Sequence, residues 1–247
     1  MIYDLELGFS RSQHSVLSES LSPRPILKNK PYFSREPGGV VLAGKFAEGF
    51  SLRSDETFLR AYRTPNDPTP TGRVREALEG IRIYRQFDTS PRSNTRHGIS
   101  ATTQNDFLFE DGSNLAAVLA SRAFAPALPS LSRWLPHLAE RFSAISTHAG
   151  NGILQVFIQE QGLVDSIPGS RLSDGTLRIL CLLAVLLHPQ PPRLVCIEEP
   201  ELGLHPQIIR DIANLIIEAS DRMQLLVTTH SIEFINALGG HPESVLA

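Results

Sequence analysis

Arg193-Leu-Val-Cys-Ile-Glu198-Glu199-Pro200-Glu201-Leu-Gly-Leu-His205-Pro206 runs from a short apolar stretch into two consecutive carboxylates, then a proline and a glycine turn. An apolar stretch of this length, bounded by Pro191-Pro192 before and Pro200 after, predicts a buried parallel strand. Ending that strand in Glu198-Glu199 sets negative charge at the carboxyl edge of a sheet, where open α/β folds bind ligands. Two adjacent carboxylates are costly to bury unless a cation or hydrogen-bond donors meet them. Mg²⁺ carrying a nucleotide is the candidate cation.

The surroundings fit a parallel α/β pattern from residue 172 onward. Ser173 caps an apolar helix that ends near His188-Pro189, and the strand at 194–197 follows. His205-Pro206 opens an amphipathic helix to about residue 219, with Ile208, Ile209, Ile212, Leu215 and Ile216 along one face. Residues 224–229 predict a second parallel strand, followed by His230-Ser231 and a helix over 232–238. Such alternation implies right-handed crossovers and a doubly wound sheet.

Upstream the pattern differs. Tyr3, Leu5, Leu7 and Phe9 alternate with Asp4 and Glu6, which predicts a half-buried antiparallel strand. Residues 10–33 are rich in Ser, Pro and Arg, with one short strand near Ile26-Leu27, and 40–42 is another after a Pro-Gly-Gly turn. Residues 54–62 read as helix, 64–72 as a breaker cluster, 73–79 as a short helix and 81–84 as a strand. The arginine-bearing segment 88–105 reads as an exposed loop, so Arg92, Arg96 and His97 are solvated rather than nucleic-acid contacts. Ser113-Asn114 caps a helix at 115–122, a second helix containing Trp134 spans 131–145, and 152–160 is a strand.

Composition narrows the classes. The chain has 247 residues, 41% hydrophobic and 20% charged, which suits one large or two small globular domains. A net charge of −3 gives no bulk electrostatic case for nucleic acid. Cys181 and Cys196 sit in apolar runs and read as reduced core residues. No signal peptide opens the chain, and no apolar run approaches the roughly 20 residues that span a bilayer, which points to the cytoplasm. Both ends, in strand-like sequence at 1–9 and 243–247, look cut from something larger.

Three features carry chemistry. Leu172-Ser-Asp-Gly-Thr176 opens a helix, where free N–H groups and the dipole favour an anion. Glu198-Glu199 end one strand, and His230 follows another. An anion site, a carboxylate pair and a polar strand-end residue together serve phosphoryl transfer to water.

In this order the motifs resemble the distal half of an ABC-type P-loop ATPase of the RecF/SMC kind, close to the OLD-like ATPases. Leu172-Ser-Asp-Gly-Thr resembles the signature, Val195-Cys-Ile-Glu-Glu-Pro the Walker B strand, Gly203-Leu-His-Pro the D-loop and Thr228-Thr-His-Ser the switch-histidine loop. Asp111-Gly-Ser-Asn-Leu is similar to part of the family's helical insertion. The resemblance implies an α/β fold with a parallel sheet flanked by helices, an N-terminal antiparallel β region and a helical insertion. Residues 1–87 would form the β region of the ATPase head, 88–150 a loop and helical insertion, and 151–247 the catalytic core. It implies ATP and Mg²⁺, with Glu198 holding the metal through water, Glu199 polarising the attacking water and His230 contacting the γ-phosphate. Ser173, Asp174 and Gly175 would face the nucleotide of a second protomer in a head-to-tail homodimer, with His205 in the D-loop. Gln86 is either an ordinary strand-end residue or the loop residue that senses Mg²⁺ and water. DNA and a partner protein or nuclease are further partners the resemblance implies, in repair, chromosome maintenance or anti-phage defence.

A phosphate-binding loop of the form G-x-x-x-x-G-K-[ST] is also required. The near match Gly39-Val-Val-Leu-Ala-Gly44-Lys45-Phe46 has no hydroxyl at its last position and strand-like residues where a turn belongs. It reads as coincidence, with the true loop upstream. The alternative function is then a non-catalytic interaction module, a truncated or split half whose partner supplies that loop.

Overall fold

The computed structural model describes residues 1–10, 13–24, 31–36, 39–42, 45–46, 52–62, 64 and 67–238. The chain forms two compact units, Met1–Gly80 and Ile81–Ala247. The strands expected near Ile26-Leu27 and at 243–247 lie outside the described residues. Among the described residues, no helix is long and apolar enough to cross a membrane.

In the first unit, β1 (Ile2–Ser10), β2 (Gln13–Ser22), β3 (Phe33–Glu36), β4 (Gly39–Leu42) and β5 (Lys45–Phe46) pair antiparallel in that order. Then come α1 (Phe58–Ala61) and α2 (Pro70–Glu79). Only the root of β1 is packed: Tyr3 lies against Leu21, Phe33, Val40, Phe58 and Leu59, whereas Leu5, Leu7 and Phe9 are exposed. The alternation that predicted a half-buried strand is real, but the β1–β2 ribbon outruns its core. Residues 10–33 hold a ten-residue strand, β2, where the Ser-rich composition suggested little order. Its register against the whole of β1 supplies what local propensity does not. Glu19 is buried there and satisfied by Tyr3 Oη at 2.8 Å and by the N–H groups of Phe58 and Leu59 at the start of α1. The breaker cluster ends by starting α2: Thr69 caps it through the Gly72 N–H, with Pro70 in the first turn.

The second unit runs β6 (Ile81–Tyr84), α3 (Asn94–His97), β7 (Ile99–Ser100), α4 (Leu115–Ala120), α5 (Leu128–Leu138), β8 (Phe142–Gly150), β9 (Ile153–Glu160) and β10 (Ile167–Pro168). It continues with α6 (Asp174–Leu186), β11 (Leu194–Glu198), α7 (Pro206–Ser220), β12 (Gln224–Thr228) and α8 (Ile232–Ala237). Strands β12, β11 and β6 form a parallel sheet in that order, and β10, β9 and β7 an antiparallel one with β8 also on β9. The parallel sheet the alternation implied has three strands among the described residues.

Helix α6 is the core of this unit. It is apolar on nearly every side, with Leu177, Leu180, Cys181, Leu183 and Leu186 fully buried, as a central helix requires. Burial pushes the Cys181 thiol up, which keeps it protonated and inert. At its far end the Arg222 guanidinium donates to the carbonyls of Leu186 and His188, at 2.6 and 3.0 Å.

Three expectations change here. The helix expected over 131–145 ends at Leu138, and Phe142 to Ile145 belong to β8. Pro136 lies near the helix end, Ala139 is extended, and Asn151-Gly152 form a two-residue turn with φ of 52° and 77° that folds β8 back on β9. Residues 88–105, expected as an exposed loop, contain α3 and β7 and bury Thr89, Ser93 and Thr95. Asn114, expected to cap α4, makes no side-chain cap bond. Fully buried, it accepts from the Phe109 N–H and donates to the carbonyls of Gln104 and Phe107, closing that loop.

Candidate active site

The parallel ladder pairs Ile197 with Tyr84 and Glu198 with Thr228. It therefore brings Arg85-Gln86, Glu198-Glu199 and Thr229-His230 to one edge of the sheet. Val195 and Ile197 are buried and anchor β11, but the carboxylates lie just beyond the last buried residue. Their side chains are 47% and 40% exposed, so the costly buried pair expected from sequence is a half-solvated one. Glu198 Oε1 lies 3.2 Å from Arg85 Nε, and the guanidinium is itself mostly exposed. Such a pair is worth about 0–1 kcal/mol and is displaced easily.

Glu199 has φ of 45°, the left-handed region. Its N–H donates to the Thr228 carbonyl at 2.8 Å and its carbonyl accepts from the Leu202 N–H at 3.0 Å. The sheet bond is thus kept while the chain turns away. A side chain bearing a Cβ costs about 1–2 kcal/mol in this conformation, and such strain concentrates at functional sites. Glu199 Oε1 stands 3.6 Å from His230 Nε2, on an imidazole that is 91% exposed. Glu201 braces the histidine through its backbone: its Oε1 accepts from Thr229 Oγ1 and from the His230 N–H at 3.3 Å, while Oε2 is buried with no hydrogen-bond partner among the described residues.

The signature stretch lies at the start of α6. Ser173 is the N-cap, its Oγ accepting from the Thr176 N–H at 3.1 Å. Asp174 sits in the first turn, and a Cβ on Gly175 would lie 3.4 Å from the Gly203 carbonyl oxygen. Arg178, one turn on, donates to the Leu202 carbonyl at 2.7 Å. The signature turn and the loop after Glu199 therefore rest on each other. His205 caps α7, its ring Nδ1 accepting from the Gln207 N–H at 3.4 Å, with Pro206 next. Among the described residues no hydrogen bond or ion pair joins Ser173, Asp174 or Gly175 to Glu198, Glu199 or His230. Gln86 is exposed and lines a cleft of about 320 Å³ with residues 87–90.

Arg85, Glu201, Arg96 and Arg178 escaped the sequence reading. Arg96 in particular was read as solvated, yet its side chain is 12% exposed and bound to the start of α6. Their partners are distant in sequence, and only the fold reveals them. Among the described residues no three His, Cys, Asp or Glu side chains cluster as a metal cage. Mg²⁺ is commonly held by one or two carboxylates together with substrate phosphates and water. Glu198, half-solvated and paired among the described residues with the displaceable Arg85 guanidinium, fits such a role.

Similar solved structures include the Smc head domain with an extended coiled coil bound to the C-terminal domain of ScpA, derived from Pyrococcus furiosus. It is 18% identical over 46% of this chain and 30% of that one, with a TM-score of 0.38. The SmcHead bound to the C-winged helix domain of ScpA is 13% identical over 92% of this chain and 64% of that one, with a TM-score of 0.47. The SMC head domain from Thermotoga maritima is 13% identical over 94% and 65%, with a TM-score of 0.39. The chain spans less than two thirds of the length of each of these. The family described as AAA domain, putative AbiEii toxin, Type IV TA system matches residues 10–236. With nearly the whole sequence inside that match, the chain belongs to this AAA family.

Proposed function

We propose that the protein binds and hydrolyses ATP in a head-to-tail homodimer, with one nucleotide held between the carboxyl edge of one protomer's sheet and the α6 start of the other. The observation that carries this reading is Glu199, fixed in a left-handed turn at the end of the central strand with His230 at 3.6 Å. Glu198 holds Mg²⁺ through water, and the ion when bound neutralises phosphate charge. Glu199 orients the attacking water and takes its proton at Oε1. His230, steadied through its backbone by Glu201, donates to the γ-phosphate. Gln86, on the neighbouring strand end, faces the same edge, and Ser173 with Gly175 serves the partner's nucleotide. In this reading the protein serves DNA repair, chromosome maintenance or anti-phage defence in the cytoplasm, with DNA or a nuclease as further partners.

A second reading has a specific observation behind it. Within the near match to a phosphate-binding loop, Gly39–Leu42 and Lys45–Phe46 form the antiparallel strands β4 and β5, with Val41 paired to Phe46 and Leu42 to Lys45. Two antiparallel strands paired with each other are not the strand, loop and helix that cradle phosphate. Among the described residues β12 also keeps an unpaired edge, with Leu226 57% exposed. In this reading a partner supplies the loop and its strand.

Calorimetric titration of the full chain with MgATP separates the two. Binding at millimolar nucleotide or tighter supports the autonomous enzyme, and no heat at that concentration sinks it in favour of the partner-dependent module. If ATP binds, Lys45→Ala should leave the affinity unchanged, and a loss of binding would restore the 39–46 stretch as a phosphate site.

A further inference from the structure

Asp174 poses an electrostatic problem for the proposed site. It sits in the first turn of α6, beside the N–H groups that a partner's γ-phosphate would approach. A carboxylate there repels the phosphate it is meant to admit. Its side chain is 70% exposed, so it is not removed by burial.

Arg96 answers that charge. Its Nη2 donates to Asp174 Oδ1, its Nη1 donates to the Leu172 carbonyl at 2.6 Å, and its Nε to the Thr89 carbonyl at 2.8 Å. The guanidinium fork thus grips both the backbone and the acid of the signature turn, with its own side chain mostly buried. The seat is tight. Gly169, just before the turn, lies so close to α3 that a Cβ on it would come within 3.0 Å of the Arg96 carbonyl oxygen. Thr89 belongs to the segment that leaves β6 through Gln86, so the same side chain ties that segment to the start of α6.

We infer that Arg96 is a positioning residue that neutralises Asp174 and fixes the signature turn, and so lets an acidic turn accept the γ-phosphate of a second protomer. This rests on the head-to-tail reading of Ser173 and Gly175. The action of Arg96 runs through Asp174 and the Leu172 carbonyl.

Sedimentation velocity of the full chain with and without MgATP provides the test. Arg96→Ala should weaken ATP-driven self-association by about tenfold or more, and Arg96→Lys, which keeps the charge, should lose less. The decisive variant is Arg96→Ala with Asp174→Asn: removing the repelling carboxylate should recover most of the association. A purely structural tether to the Leu172 and Thr89 carbonyls predicts no such recovery. Should Arg96→Ala fail to fold, Arg96→Gln keeps an amide donor for those carbonyls and carries the same comparison with Asp174→Asn. Wild-type association in Arg96→Ala, or a double variant as weak as the single, overturns the inference while leaving the dimer standing. A wild-type chain that never associates with ATP overturns the head-to-tail reading and this inference with it.

Discussion

Glu199→Gln is expected to lower ATP turnover by about two to four orders of magnitude, the usual contribution of a positioned general base. The substitution is close to isosteric and retains a Cβ, so the left-handed backbone at φ 45° and the 2.8 Å bond from the residue 199 N–H to Thr228 should persist. Only the ability to take a proton from water is removed. Nucleotide affinity should be nearly unchanged, because Glu199 binds neither the metal nor the phosphates in the proposed arrangement. A turnover defect without an affinity defect marks an interaction made in the transition state alone. Phosphate release under single-turnover conditions, measured beside equilibrium nucleotide binding, reads both quantities. Turnover within a few-fold of wild type would remove Glu199 from its proposed role.

The second large effect concerns stability. Gly98, which ends α3, has φ of 89° and ψ of 176°, a region open almost only to glycine. A Cβ placed on it would lie 2.1 Å from the Leu154 carbonyl oxygen and 2.6 Å from Gln155 Cγ. The Leu154 carbonyl cannot yield without moving backbone, since Leu154 is held in β9 by its pairing with Ile99 and Ala149. Gly98→Ala should therefore cost about 3–5 kcal/mol, combining backbone strain with overpacking. Gly152→Ala makes the control. Its φ is also positive, at 77°, but a Cβ there meets nothing within 4 Å, so only the smaller conformational cost of about 1 kcal/mol remains. Trp134, the chain's one tryptophan, lies in α5 of the same unit, so its fluorescence during urea unfolding reports the transition. Equal midpoints for the two variants would show that β9 relaxes around the added methyl.

The sequence reveals most where interactions are local. Apolar runs, the Ser173 cap and the His205-Pro206 helix start place β11, α6, α7 and β12 to within a residue or two, because periodicity and caps act over a single turn. The polar residues gathered at the sheet edge follow from strand ends in the same way. What stays hidden depends on partners far along the chain. Arg96 meets Leu172 and Asp174 across 76 and 78 residues, and Glu201 meets Thr229 across 28. Strand β2 is Ser-rich and acquires its conformation from β1, while β8 continues an apolar pattern that equally suits a helix until the Asn-Gly turn is weighed. Half-burial of Glu198-Glu199 escaped for a related reason: a run of apolar residues shows that a strand is covered, but not where its cover stops.

The β1–β2 ribbon has a consequence for how the protein behaves in concentrated solution. Leu5, Leu7, Phe9 and Leu17 are exposed on it, and β1 is the outermost strand of its sheet among the described residues. A long apolar edge of this kind templates pairing with other chains unless charge interrupts it. Asp4 and Glu6, on either side of Leu5, are the gatekeepers. Replacing both by their amides should leave the fold intact and lower the concentration at which light scattering first rises. The ribbon's solubility thus depends on two carboxylates that take no part in the chemistry at the far end of the chain.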